Sequence, residues 1–474
     1  MNHTVEKIGG TSMARVDQLR DTLFIGKRTG AALYGRMFVV SAFGGITNLL
    51  LEHKKSGEPG VYALFANDDT NHGWHDQLDC VADAMKTAHA AVLSHPADVQ
   101  QADAFVDERL RGARGCLIDL QRLCSYGHFR LAEHMGQTRE LLSGLGEAQS
   151  AFVTTLLLRR AGVNARFVDL SGWRDEGDVT LDERIAVAIA DIDPATEMPI
   201  VTGYAQCAEG LMGEYDRGYS EVTFSRLAAL TRAREAIIHK EFHLSSCDPN
   251  LVGAAAVHKL GRTNYDVADQ LSNMGMEAIH PKAAKTLRQA DVPLRVTNAF
   301  EPDDPGTLID DRAAQTPSVE IVTGLDIVML EVFEQDMVGV KGYDATILET
   351  LTRHGVRIVS KVSNANTITH YLDTSLKTMR RVENDIARAF PAAEITTRTL
   401  SMASVIGRDL TGLSVLSRGL LAISDAGLTA IAASQGPRNV DVQFIVDRGA
   451  LKPAIRALHG VFVERSEPRL ICAA

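Results

Sequence analysis

Patterned cysteine is missing from this chain. Its six cysteines, Cys80, Cys116, Cys124, Cys207, Cys247 and Cys472, form no CxxC pair and no ligand-like cluster. That argues against zinc sites and a disulfide framework, and for reduced thiols in the cytosol. Positive charge is also scarce: 49 Lys and Arg stand against 60 Asp and Glu, a formal net charge of -11. Neither a nucleic-acid partner nor an anionic membrane surface is expected, although a local basic pocket for phosphate stays compatible with that balance. The start MNHTVEKIGG lacks a charged, then apolar leader, and no stretch approaches about 18 uncharged apolar residues. A cytoplasmic protein with no membrane partner is expected. The histidines of residues 61–136 (His72, His75, His89, His95, His128, His134) show no His-x-x-x-His pair, and no metal site is expected there.

What is present is ample apolar material, 45% of 474 residues, enough for two to four domains. Over the first 300 residues strands alternate with helices: Thr4–Ile8, Met37–Ser41, Ala165–Leu170, Pro199–Thr202, Ala236–His239 and Leu294–Val296 read as strands. Such alternation predicts an α/β fold, a mostly parallel sheet covered by helices. Residues 61–136 read as a helical insertion or lid within a first domain spanning 1–310. The proline- and acid-rich stretch EPDDPGTLIDDRAAQTP (Glu301–Pro317) reads as the domain boundary. Beyond it, 318–474 repeats a ferredoxin-like βαββαβ pattern twice, over about 325–398 and 400–466. The last strand of the second pass is expected at Val461–Glu464. Gly339 and Gly342, ahead of the first helix of the first pass, could let a small ligand approach the backbone.

Lys7-Ile8-Gly9-Gly10-Thr11-Ser12 carries the first chemical signal. A strand delivering a lysine, two glycines and hydroxyl residues at a helix start offers an ammonium and unencumbered N–H groups to an anion. Ligands of parallel sheets bind beyond the carboxyl ends of the strands. Both this turn and Ser41-Ala42-Phe43-Gly44-Gly45 are expected there, facing one crevice.

Taken in order, these segments resemble the aspartate kinases, amino-acid kinases with tandem ACT domains. Lys7–Ser12 is similar to KFGGTS; Val39–Ala42 with Gly45–Asn48 to VVSA and GITN; Gly146-Glu147 to SxGE; Val201–Tyr204 to VTGF; and Arg217–Glu221 to RGGSD. Asp248-Pro249, Gly275 with His280-Pro281, and Val296–Phe300 with Pro305–Thr307 continue the series. The resemblance implies transfer of the γ-phosphoryl of ATP to the β-carboxylate of L-aspartate, with Mg2+. It implies a homodimer or dimer of dimers and an amino-acid effector at the ACT units. In catalysis it implies Lys7, Gly9, Gly10 and Ser41, with Lys7 across the transferred phosphoryl group. In aspartate recognition it implies Thr47, Glu147, Arg217, Ser220 and Glu221, with Glu147 on the α-ammonium and Arg217 clamping the α-carboxylate. On the nucleotide side it implies Lys7, Gly10, Ser12, His239, Lys240, Ser245 and Glu277. A rival reading is a catalytically weakened kinase fold that senses an amino acid. Another is a related kinase acting on acetylglutamate or a nucleoside monophosphate.

The departures matter equally. Tyr219 replaces the second glycine of RGGSD and Glu221 lengthens its acid. Ser143 is one residue off the SxGE spacing, leaving Gly144 in its place, and Glu277 stands where GAKVLHP has lysine. A reversed charge near 4 Å is worth about 4 kcal/mol at an effective dielectric of about 20, so a rebuilt nucleotide pocket is expected. Together with GMEAIHPKAAK, these departures resemble the aspartate kinases associated with ectoine biosynthesis.

Overall fold

The computed structural model describes residues 3–464 except 55, 68–72, 176, 216–217, 277 and 315. The chain forms two compact units, Met1–Leu244 with Ile279–Asp311, and Ser245–Ala278 with Arg312–Ala474.

In chain order the first strands are β1 (Thr4–Ile8), β2 (Arg36–Val40), β3 (Ala165–Val168), β4 (Met198–Thr202) and β5 (Glu235–Lys240). Then come β6 (Arg262–Asn264), in the second unit, and β7 (Leu294–Asn298) and β8 (Thr307–Asp310), in the first. The strands of the first unit run β3-β4-β2-β1-β5-β7-β8. All are parallel except β8, which returns antiparallel to β7 inside the stretch read as a boundary. Strands β1, β2 and β4 are buried along their whole length, as expected of a parallel sheet covered on both faces.

One buried polar network crosses four adjacent strands of this sheet. The Glu6 carboxylate accepts from Arg36 at 2.7 and 2.8 Å and from Thr4 at 2.8 Å, and lies 2.8 Å from His239 Nε2. His239 Nδ1 meets Thr297 Oγ1 at 2.7 Å. Burial alone would raise the Glu6 pKa, but the Arg36 charge and the His239 and Arg36 hydrogen bonds hold it well below the usual carboxylate range.

Residues 61–136 are helical at Val61–Ala66, Gly73–Val92 and Pro96–Cys124, and into the long helix Leu131–Arg160. That last helix is apolar and long enough to cross a membrane, yet 89% of its most apolar window is buried in the protein. It is a core helix, and it carries Glu147.

The second unit holds a six-stranded antiparallel sheet built from β9 (Ile321–Phe333), β10 (Arg357–Ser363), β11 (Thr367–Asp373), β12 (Glu394–Ile406), β13 (Ala430–Gln435) and β14 (Asp441–Asp447). Their order is β10-β11-β9-β12-β14-β13. The two ferredoxin-like repeats share their long strands. β9 and β12, 13 residues each, pair from Glu394–Phe333 to Ile406–Ile321. Val328, Leu330 and Val332 enter the core of the first repeat, whereas Val322 enters that of the second. The strand expected at Val461–Glu464 is instead a π-helical turn, Gly460–Glu464. Its place beside β12 is already filled by Ile321–Asp326. Gly339 and Gly342 have φ of 76° and 108°, a region that a side chain would strain.

Candidate active site

The turns leaving β1, β2, β4 and β5 gather at the carboxyl edge of the first unit's sheet. Gly9, in extended conformation, precedes the short helix Gly10–Met13. A Cβ on Gly10 would lie 3.0 Å from the Ala42 carbonyl oxygen, so glycine lets the two turns touch. Ser41 N–H donates to Ile8 C=O at 3.1 Å, and Gly203 N–H donates to Val40 C=O at 3.0 Å. The Ser150 hydroxyl donates to Ser41 C=O at 2.8 Å and ties the long helix to the same turn.

Lys7, 9% exposed, reaches Glu221 Oε1 with its ammonium at 3.1 Å. Glu221 Oε2 accepts the backbone N–H of His280, so the lengthened acid spans two donors. Burial works to raise the Glu221 pKa, but the Lys7 and Lys240 charges and the His280 N–H outweigh it and lower it. The Ser220 hydroxyl lies 3.4 Å from that of Ser41.

Glu147 is 2% exposed, and burial pushes its pKa up to about 8. Lys7, the backbone of Tyr204, the Tyr219 side chain and the Ala42 backbone pull the other way without overcoming that cost. Its Oε2 has no hydrogen-bond partner. A Cβ added to Gly203 would lie 3.0 Å from that oxygen, 2.7 Å from Ser220 Cβ and 2.9 Å from Val40 C=O. The first unit thus brings together Lys7, Glu147, Ser220, Glu221 and Ser41. Thr47 lies in the helix Ile46–Leu50, half-buried.

The nucleotide-side residues fall differently. Ser12 donates to Glu241 Oε1 at 2.6 Å, so a carboxylate from the turn after β5 meets the hydroxyl expected for phosphate. His239 is 5% exposed with both ring nitrogens engaged by Glu6 and Thr297, which makes it a brace of the sheet. Lys240 ends β5. Ser245 belongs to the second unit, where its hydroxyl donates to Cys247 C=O at 2.9 Å. Arg217 and Glu277 lie outside the described residues. Among the described residues, His243, Glu301 and Asp304 bring metal-type ligand atoms within 4.8 Å of one another. There His243 Nε2 is already 3.0 Å from the exposed Glu301 carboxylate, an ordinary hydrogen-bonding distance.

Sequence reasoning missed Glu140, Tyr204 and Glu241 as parts of this surround, and saw in Tyr219 only a lost glycine. A buried tyrosine beside a carboxylate is a hydrogen-bond donor first, and only the fold reveals that neighbourhood.

A family model described as the amino acid kinase family matches residues 2–298. Aspartate kinase Ask_Ect of Stutzerimonas stutzeri is 50% identical over 464 residues, covering 98% of each chain. The chloroplastic aspartokinase 2 of Arabidopsis thaliana is 24% identical and covers 97% of this chain and 84% of its own. Among solved structures, E. coli aspartokinase III, crystallised with lysine and aspartate, matches with a TM-score of 0.72 at 18% identity, covering 97% of this chain and 99% of its own. That likeness shows the fold. By the family match over residues 2–298 and the half-identical relative over nearly the whole length, the chain belongs to the amino acid kinase family, and within it to the aspartate kinases.

Proposed function

We propose that the protein transfers the γ-phosphoryl group of ATP to the β-carboxylate of L-aspartate, giving 4-phospho-L-aspartate and ADP. The observation that carries this reading is the buried carboxylate of Glu147, with one oxygen unpartnered beside the Lys7 charge. An isolated buried acceptor is costly unless a ligand donor completes it, and the α-ammonium of a free amino acid is such a donor. By resemblance, Arg217 takes the α-carboxylate, which leaves the β-carboxylate to meet the phosphoryl group.

The transfer forms a bond from the β-carboxylate oxygen to the γ-phosphorus as the bond to the β–γ bridging oxygen breaks and ADP leaves. Two anions must be held in line and their charge neutralised, so cations and backbone donors do most of the work. Lys7 supplies the positive charge between them, its ammonium passing from Glu221 toward the phosphoryl oxygens when ATP binds. Backbone donors of Gly9 and Gly10, with Ser41, cradle the phosphates. ATP enters as its magnesium complex, so the ion arrives with the substrate. The second unit acts as an ACT-type regulatory pair for an amino-acid effector, and the half-identical relative Ask_Ect supports the ectoine-associated type.

ADP release, followed by a coupled assay with magnesium ATP, tests this against the other acceptors the family suggests. Release dependent on L-aspartate, and absent with N-acetylglutamate or UMP, is expected. Release with either of those and none with L-aspartate would overturn it.

A further inference from the structure

The helix Leu131–Arg160 carries two glutamates, Glu140 and Glu147, two turns apart on one face. Each takes a tyrosine. The Tyr204 hydroxyl donates to Glu140 Oε2 at 2.7 Å, while Glu140 Oε1 accepts the N–H groups of Met212 and Gly213 at 2.7 and 3.1 Å. The Tyr219 side chain hydrogen-bonds to Glu147. The two rings pack edge to face, centroids 5.6 Å apart at 83°. Tyr204 and Tyr219 are 2% and 3% exposed, so neither hydroxyl has bulk water as an alternative partner.

Three departures from the family's motifs coincide here. Gly144 occupies the position of the family serine, and a Cβ there would lie 2.9 Å from the Tyr204 ring. Tyr204 ends the stretch resembling VTGF, and Tyr219 replaces a glycine of RGGSD. The missing side chain at Gly144 makes room for the ring of Tyr204, which in turn backs the ring of Tyr219. A tyrosine in place of glycine therefore does more than stiffen a turn.

We propose that Tyr219 is a positioning residue for aspartate recognition: its hydroxyl holds the Glu147 carboxylate so that the unpartnered Oε2 is left for the substrate ammonium. This rests on the reading of Glu147 given above. The hydroxyl also favours the ionised carboxylate, the form that attracts an ammonium. Glu140 and Tyr204 form the outer support, anchoring the ring stack to the chain at Met212 and Gly213.

Tyr219→Phe keeps the ring and removes the hydroxyl. In steady-state kinetics the KM for aspartate should rise about tenfold and the acid limb of kcat/KM for aspartate should move up by about one pH unit. The KM for ATP should stay within twofold of wild type and the melting temperature should be retained. An unchanged aspartate KM and pH limb would overturn the assignment, as would parallel loss in kcat and both KM values with a lowered melting temperature. Glu147→Gln separates this from the underlying reading. If it raises the aspartate KM while Tyr219→Phe does nothing, only the role of Tyr219 fails. If Glu147→Gln itself leaves that KM unchanged, the ammonium site fails and the proposal with it.

Discussion

At the scale of single residues, the site turns on a carboxylate the fold keeps in an unfavourable place. On the proposed reading Glu147 needs its charge to hold an ammonium, yet burial pushes its pKa up to about 8. Because kcat/KM reports groups of the free enzyme, kcat/KM for aspartate should fall as pH drops through about 8, and Glu147→Gln should flatten that limb. Gly203 is the other sensitive point. A methyl group there meets Ser220 Cβ, the Val40 carbonyl and Glu147 Oε2, all at 3.0 Å or less, and backbone cannot yield as a side-chain end can. Gly203→Ala should cost about 1–3 kcal/mol of stability by overpacking and remove most activity, measured by urea unfolding and initial rates. Wild-type rates in that variant would contradict the placement of Glu147. Lys7, Glu147, Ser220 and Glu221 were legible beforehand because ordered motifs carried them. The reach of Glu221 to the His280 N–H was not, since it depends on where a distant helix begins.

At the scale of elements, the parallel sheet is braced by Glu6, Arg36, His239 and Thr297. A buried pair of this kind is weak evidence of net stabilisation, but removing one partner strands a charge and costs about 3–5 kcal/mol. Arg36→Met should lose about that much at pH 7 by chemical denaturation. The sign with pH follows from the depressed Glu6 pKa. The wild-type contribution is complete above the unfolded value of about 4.3 and is lost as pH falls through the folded value. The gap between wild type and Arg36→Met should therefore narrow in acid. His239 illustrates why the nucleotide side was hard to read. Its place at the end of a strand beside a divergent motif suggested a ligand contact, whereas strand alternation turned its ring inward to Glu6. Side-chain period 2 was available in the sequence, but no apolar pattern at that position said which face was buried.

At the scale of the whole molecule, the strand–helix alternation of the first unit was readable because strands such as β2 and β4 are short, mostly apolar runs between turns, although β1 buries Glu6 and Lys7 as well. The second unit was readable as two repeats but not as an interlocked pair. Nothing local marks Ile321–Asp326 as the strand that completes the second repeat from the far side of the first, because β9 and β12 are each continuous across both repeats. A fragment spanning 394–474 lacks that strand and exposes one side of β12. It should be unfolded or aggregated by circular dichroism and light scattering, while 318–474 should give a cooperative transition. A cooperative melt of the shorter fragment would contradict the shared-strand arrangement.

On the proposed reading, Lys7 and Glu147 assemble a site that phosphorylates aspartate. The most direct measurement traps the product: purified protein with ATP, Mg2+, L-aspartate and hydroxylamine, assayed for aspartyl hydroxamate beside Lys7→Ala. Hydroxamate that needs both ATP and L-aspartate, and a loss on the order of a thousandfold or more in the variant, is the predicted result. Absence of hydroxamate above the Lys7→Ala background, or equal yields from both proteins, would contradict it.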